Sequence, residues 1–379
     1  MSAERKKVLF LIRSLGKGGA ERVLVNLLNR FDLNTYEVDL CLVMDLNIYD
    51  QEINRQINRV TLFKSYFLVR VLTFLYTRYN INLLWKSTVN RKLRERYDVA
   101  ISFADSSYTD LLFMLDHQPR KTITWVHSSY NSYSNFNKFY SGARKERIKK
   151  ARFDKLSTVV FVSEDSKRSF IEVFGEKYHM EVIYNIIDRK GVLSKAKEFE
   201  VKKQSKEILI VSLGSLYPVK GFDKLIEAAS DLLKENDRVR LMILGDGPLR
   251  KQLQEQIDAL QLNEKITLEG FKPNPYPYLA AADIFCMSSI SEALPTALCE
   301  AMILGKPTLV TDCDGCREIV AGGKYGIMVK GYPFDIYQGL LKMSSDTEIR
   351  KFYSLKSIER ASGFDDEEIL KKVYHLIDK

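Results

Sequence analysis

The chain has little of what marks secreted, membrane-spanning or zinc-bound proteins. Its cysteines number five, an odd set scattered at Cys41, Cys286, Cys299, Cys313 and Cys316. They form no even disulfide framework, and a reducing compartment is expected. Histidine is as scarce: His117, His127, His179 and His375 have no ligand-like spacing, which argues against a zinc site. No run of about 20 apolar residues occurs, so no segment is expected to span a bilayer. Residues 1–7 lead directly into a short apolar strand, VLFLI, in place of the longer apolar region of a signal peptide. A cytoplasmic location is therefore expected. The first glycine cluster, Gly16, Gly18 and Gly19, matches neither G-x-G-x-x-G nor a Walker loop, since no Gly-Lys-Ser/Thr follows.

What is present is a chain of 379 residues, 45% apolar, long enough for two domains with cores of their own and too apolar for general disorder. The net charge of +9 is unevenly placed. Residues 59–96 hold nine Lys or Arg against one acid, and residues 144–155 form a second basic run. Between them in character is residues 66–85, apolar but interrupted by Arg70 and Arg78. As one helix it puts Leu68, Leu72, Leu75 and Tyr79 on one face, with Arg70, Thr73 and Thr77 largely opposite. Two readings of that stripe stand side by side. It packs on the sheet as core, or it lies at an anionic membrane surface with Lys64, Arg70, Arg78, Lys86, Arg91, Lys92, Arg94 and Arg96 reaching head groups or a polyprenyl diphosphate. The aromatics Phe67, Phe74, Tyr76, Tyr79 and Trp85 suit either. A basic nucleic-acid-binding module would use the same positive half, but no aromatic-plus-basic sheet surface or binding motif accompanies it.

Apolar runs alternate with helical patterns along the whole chain. Strands are expected at residues 8–12, 38–43, 99–103, 121–126, 158–162 and 182–184, with a short helix at 111–115. After a lysine-rich polar stretch, strands follow at 208–213, 239–244, 266–268, 284–287 and 308–310. Such βα repeats predict an α/β fold with parallel sheets covered on both faces. The expected divisions are a domain at 1–187, a linker at 188–206, a second domain at 207–356, and a C-terminal helix at 357–379 packing back on the first domain. Strand ends from the two domains would border a cleft, where ligands of open α/β sheets collect.

The most telling stretch is residues 288–311, SSISEALPTALCEAMILGKPTLVT. It reads as a loop carrying Glu292, a helix opening near Pro295 and holding Glu300, a Gly-Lys-Pro stop, and a strand. The unpaired N–H groups of a first helical turn offer a seat to an anion, while carboxylates on either side accept hydrogen bonds from hydroxyls. A diphosphate between two polyols, as in a nucleotide sugar, fits that pattern. Asp312-Cys313-Asp314 spells D-x-D and Cys313-x-x-Cys316 a C-x-x-C, but both follow a second-half strand beside Gly315 and are read as neither a metal nor a redox site.

These residues carry a resemblance. The E-x7-E of Glu292 and Glu300, with Leu294-Pro295, Ala301-Met302 and Gly305-Lys306-Pro307, resembles the retaining nucleotide-sugar glycosyltransferases of the two-Rossmann-domain, family 4-like class. That class includes bacterial capsule, lipopolysaccharide and lipid-linked-oligosaccharide transferases. Further matches in order are Gly18-Gly19-Ala20-Glu21, His127, Lys220-Gly221, Gly245-Asp246-Gly247, Gly270, and Gly315 with Glu318.

The resemblance implies the GT-B architecture, two Rossmann-like domains facing across a cleft, and a UDP-sugar donor used without an essential metal or other cofactor. It implies that Glu300 accepts hydrogen bonds from the ribose hydroxyls and that Glu292, with the N–H groups around Ala293 and Leu294, holds the transferred sugar. Lys220 would neutralise the diphosphate, Gly18 and Gly19 would lie near phosphate and acceptor, and His127 would touch the sugar near its anomeric centre. Gly214, Ser215, Gly245, Gly270 and Phe271 complete the expected nucleotide-sugar contacts. The acceptor would be a polyprenyl-diphosphate-linked or other lipid-linked saccharide, met by a protein peripheral to the inner face of the cell membrane. Two departures stand out. Ser215 replaces the family's usual Arg, removing one of two cationic diphosphate contacts, and Ala293 replaces a usual Gly. GDP-mannose as donor, or a non-catalytic nucleotide-binding subunit, remain the alternatives.

Overall fold

The computed structural model describes residues 5–16, 18–46, 48–130, 142–176 and 179–379, with the side chains of 142–145 excepted. Lys17 of the glycine cluster, and the Arg144 and Lys145 side chains of the second basic run, lie outside the described residues. The chain divides into two compact units: one runs to Ile186 and takes back Asp366–Lys379, and the other is Ile187–Asp365.

The first unit is built on a sheet of seven strands: β1 (Lys6–Ile12), β2 (Tyr36–Met44), β3 (Asn58–Phe63), β4 (Val99–Ser102), β5 (Lys121–Val126), β6 (Thr158–Phe161) and β7 (Met180–Val182). Their order is β3-β2-β1-β4-β5-β6-β7 and every pairing is parallel. Central strands read as unbroken apolar runs because elements cover both faces, and Phe10 sits in register between Leu40 and Ile101, all three buried. Strand β3, NRVTLF, escapes an apolar-run reading because it is an edge strand whose first two residues are exposed. The last strand lies two residues before the expected 182–184, and the expected helix at 111–115 is part of a 3-10 segment, Ser107–Met114.

The expected single helix over residues 66–85 is two. Tyr66–Tyr79 stops at Asn80, whose φ of 58° is left-handed, and Leu83–Lys92 begins a new one. The buried face also differs. Val69 and Leu72 are buried, Thr73 and Tyr76 half-buried, whereas Leu68 and Tyr79 are exposed. Polar partners outside the helix meet this face: Tyr76 donates its hydroxyl proton to Asp110 Oδ2 at 2.9 Å, and the Thr73 hydroxyl lies 3.4 Å from that of Tyr108. Asp110 is in turn held by the buried guanidinium of Arg152, Nε to Oδ1 at 2.8 Å.

The second unit has β8 (Ile208–Leu213), β9 (Val239–Leu244), β10 (Ile266–Gly270), β11 (Ile284–Met287), β12 (Thr308–Thr311) and β13 (Ile327–Val329), in the parallel order β10-β9-β8-β11-β12-β13. The helix Phe222–Glu235 lays Leu225, Ile226, Ala229 and Leu232 into the core that Ile210, Leu241 and Ile243 offer from the sheet. Within residues 188–206 lies the helix Arg189–Lys195, opened by Asp188 accepting from Gly191 N at 3.0 Å, with Val192 buried. Residues 357–379 are shared: Thr347–Ala361 stays with the second unit and Asp366–Asp378 with the first. In the first unit Tyr374 stacks on Tyr36 at 5.3 Å and meets Phe31 edge-on at 5.3 Å, while Asp378 accepts from Tyr36 and pairs with Lys6 at 2.9 Å. Burial of Val373, Leu376 and Ile377 stabilises that docking by roughly 2 kcal/mol each.

Both sheets are doubly wound, and each reverses direction once: between β1 and β4, and between β8 and β11. The carboxyl ends of strands at such switch points are where these sheets bind ligands.

Candidate active site

At the second unit's switch point, backbone meets backbone. Strand β8 ends into Gly214 and β9 into Gly245, whose φ is +139° and whose added Cβ would lie 1.9 Å from Gly214 O. Only glycine fits there. The loop after Gly214 then makes a 3-10 turn, Pro218–Lys220, and leaves it through Gly221 at φ +61°. A side chain at Gly221 would stand 2.3 Å from Ser288 O. The loops after β8 and β11 are laced by Ile290 N donating to Val219 O at 2.7 Å and Ser288 Oγ donating to Lys220 O at 2.9 Å.

The lacing brings Lys220 and Glu292 together. Lys220 Nζ donates to Glu292 Oε1 at 2.6 Å, and Ser289 Oγ donates to the same oxygen at 2.6 Å. From the other side Gly315 N donates to Glu292 O at 2.9 Å, with Gly315 packed against the Glu292–Ala293 backbone. Gly315 is the second residue of the helix Asp314–Val320. Ala293 and Leu294 are buried, and Ala293 keeps an ordinary negative φ, so this position does not require glycine.

Pro295 caps the helix Thr296–Ile303 from outside its first turn. Glu300, on that helix, is 9% exposed and accepts from the Tyr276 hydroxyl at 3.1 Å. The helix ends at Gly305, φ +66°, and Lys306 turns back to donate to Ala282 O at 3.1 Å, its pKa lowered by burial. Gly270 closes β10 at φ +74°, and Arg250, which donates to Leu268 O at 2.9 Å, stands beside it. Phe271 follows half-buried, and Ser215 is exposed in the turn after Gly214. Asp312 and Asp314 of the D-x-D both face Arg317, at 2.7 and 3.7 Å. Among the described residues no group of three or more His, Cys, Asp or Glu is arranged to hold a metal ion.

At the first unit's strand ends, Gly18 precedes the helix Gly19–Leu28, and the Glu21 carboxylate folds back over it: a Cβ on Gly18 would lie 2.1 Å from Glu21 Oε2. An anionic group of the chain itself thus stands at this helix start. Burial raises the Glu21 pKa, as expected for a carboxylate withdrawn from water. His127 follows β5 with its ring 4.9 Å from that of Phe103, and its Nε2 is sealed from solvent without a hydrogen-bond partner. Burial lowers its pKa to about 3, so the imidazole is neutral. Beside it in sequence, Ser128 Oγ lies 3.4 Å from both Asp105 oxygens and the Tyr130 hydroxyl donates to Asp105 Oδ2. Burial pushes Asp105 up to about 6. Asp105, Tyr130, Ser289 and Tyr276 were not singled out by sequence pattern: Asp105 pairs with Tyr130 and Tyr276 with Glu300 across more than 20 residues, and Ser289, three residues before Glu292, carries no motif of its own.

Lys64, Arg70, Arg78, Arg91, Lys92, Arg94 and Arg96 are all exposed. So is much of the apolar content around them: Phe67 is 75% exposed, Phe74 58% and Leu83 79%, with Leu68, Val71, Tyr79, Ile81 and Leu84 also open. Among the described residues no helix is long and apolar enough to cross a membrane.

Two parallel, doubly wound units with glycine turns and carboxylates at a switch point define a nucleotide-binding α/β protein. Family comparison agrees unit by unit: residues 17–190 match Glycosyltransferase Family 4, and residues 194–358 match Glycosyl transferases group 1. The chain is a glycosyltransferase of the GT-B fold, homologous to family 4 and related sugar transferases. It is 28% identical over 376 residues to N-acetylgalactosamine-N,N'-diacetylbacillosaminyl-diphospho-undecaprenol 4-alpha-N-acetylgalactosaminyltransferase of Campylobacter jejuni, covering 97% of this chain and 98% of that one. In fold it resembles Anabaena HepE in complex with UDP and glucose, with a TM-score of 0.79 at 19% identity over 99% of this chain and 100% of that one. It also resembles WaaG, a glycosyltransferase involved in lipopolysaccharide biosynthesis, with a TM-score of 0.73 at 16% identity over 98% and 99% of the two chains.

Proposed function

We propose that the protein is a retaining transferase moving a hexose or N-acetylhexosamine from a UDP-sugar to a hydroxyl of a lipid-linked saccharide in bacterial surface polysaccharide or glycan assembly. The observation that carries this reading is the cluster of Lys220, Ser289 and Glu292 at the second unit's switch point, one helix start from Glu300. Glu300 takes the ribose hydroxyls, and Glu292 with the N–H groups of Ala293 and Leu294 takes the sugar. Lys220 exchanges its bond to Glu292 for the diphosphate. As the anomeric carbon parts from the β-phosphate oxygen, negative charge grows on that oxygen, and a fixed ammonium with helix-end N–H groups stabilises it. The acceptor hydroxyl attacks from the face the leaving group departs, its proton passing to the β-phosphate, so configuration is retained. The resemblance assigns neutral His127, from the first unit, to the sugar.

A uridine nucleotide is supported by HepE, which was solved with UDP and glucose. An N-acetylhexosamine and a lipid-diphosphate acceptor are supported by the name of the Campylobacter relative. Approach to such an acceptor at the inner face of the cell membrane is supported by the exposed Phe67, Val71 and Phe74 set among Lys64, Arg70 and Arg78.

The decisive experiment is mass transfer from a donor panel, UDP-Glc, UDP-Gal, their N-acetyl forms and GDP-mannose, to a membrane lipid extract, with the anomeric configuration of the product read by NMR. One UDP-sugar should label a lipid with retention. Labelling by GDP-mannose alone, or an inverted product, would replace the reading.

A further inference from the structure

We propose that Tyr276 is a positioning residue that orients the Glu300 carboxylate for the ribose diol, a role that rests on the nucleotide-sugar reading above and that no sequence motif of the family assigns. Glu300 is buried, and the Tyr276 hydroxyl donates to its Oε1 at 3.1 Å. A glutamate has three side-chain torsions, and a diol is held well only when the carboxylate plane faces it, so a donor fixed on one oxygen selects the productive orientation before the ligand arrives.

Tyr276 is itself held. It lies in Pro273-Asn274-Pro275-Tyr276-Pro277-Tyr278, where three prolines fix φ at alternate positions and restrict the residues between them. Asn274 Oδ1 accepts from Tyr276 N at 3.1 Å, and Asn274 Nδ2 donates to Lys195 O at 2.9 Å and to Glu198 Oε2 at 2.8 Å. Phe199 meets the Tyr278 ring edge-on at 5.6 Å. The helix start that presents the hydroxyl, at the head of Tyr276–Ala281, is thus tied down by residues 195–199 of the same unit.

The test compares UDP with 2′,3′-dideoxy-UDP by calorimetry, for wild type, Tyr276→Phe and Asn274→Ala. Tyr276→Phe keeps the ring and removes only the donor. Wild type should prefer UDP by about tenfold or more, the weight of hydrogen bonds to a charged group. In Tyr276→Phe that preference should shrink at least threefold through weaker UDP binding, with dideoxy-UDP affinity unchanged, and Asn274→Ala should move the same way by less. In transfer assays KM for the donor should rise while kcat holds, because the ribose does not react. A Tyr276→Phe protein that keeps the wild-type preference, or loses affinity for both nucleotides equally, overturns the positioning role and leaves the ribose assignment of Glu300 standing. Equal binding of both nucleotides by wild type overturns that assignment and the proposal with it.

Discussion

The Lys220 ammonium stands 2.6 Å from Glu292 Oε1, joining two residues to which the family resemblance gives separate duties. Both side chains are largely shielded, at 22% and 11% exposure, so the contact is stronger than a surface ion pair. On the reading proposed above, each residue would keep the other in place before a donor binds, and an arriving diphosphate would take the cation and release the carboxylate to the sugar.

Lys220→Ala should therefore depress turnover by about 10²–10³, the usual effect of removing a group that meets developing charge. Glu292→Gln should spare UDP affinity and weaken the intact donor or its turnover. Because the pair is in contact, the double variant should depart from additivity by roughly 0.5–3 kcal/mol. Rates for the four proteins of the cycle check this, and strict additivity would show that the contact has no part in the reaction.

Glu300→Ala should act on the nucleotide itself. Ribose contacts exist in every bound state, so UDP affinity should fall by about 2 kcal/mol, roughly thirtyfold. Calorimetry with UDP reads this directly; an unchanged Kd would remove Glu300 from the nucleotide site.

His127 and Asp105 should give opposite signatures in pH. The folded protein holds His127 neutral down to about 3, while the unfolded chain takes the proton near 6.5. Its stabilising contribution is complete above the unfolded value and is lost as pH falls toward 3. Asp105, pushed up to about 6, keeps its proton in the fold longer than in the unfolded chain, so its contribution is present at low pH and is lost as pH rises to 6. Between pH 4.5 and 6, Asp105→Asn should make unfolding free energy rise more steeply with pH than in wild type, and His127→Gln should flatten it. Urea titrations across that window measure both slopes. Separately, the His127 imidazole signals should not titrate between pH 5 and 8.

Membrane association, if it uses the exposed face, should need both its apolar and its basic parts. Phe67→Ser with Phe74→Ser should reduce co-sedimentation with anionic liposomes at any salt, since apolar insertion is not screened. Changing Arg91, Lys92, Arg94 and Arg96 together to Gln should reduce it mainly at low salt. Wild-type protein that ignores anionic vesicles at low salt would favour a soluble acceptor.

The α/β class and the parallel sheets were legible because central strands carry unbroken apolar runs. Strand β3 was hidden by its polar start at the sheet edge. The break at Asn80 was missed because asparagine, unlike glycine, gives a weak signal for a left-handed cap. On the face that helix buries, Tyr76 meets Asp110, a partner 34 residues away, and no local periodicity contains it. The same holds at the candidate site. Motif resemblance named Lys220, Glu292 and Glu300 singly, but the Lys220–Glu292 pair spans 72 residues and the Tyr276–Glu300 bond 24, so their joint geometry belongs to the fold.

The return of Asp366–Lys379 to the first unit has a consequence for how the protein is made. A ribosome that has just released Ile186 has delivered all seven strands of the first sheet, but not the helix whose Tyr374 covers Phe31 and Tyr36. About 180 further residues must be added, roughly 10–40 s of synthesis at ordinary rates. During that interval those rings stay open to water or to a chaperone, and the unit translated first is finished last.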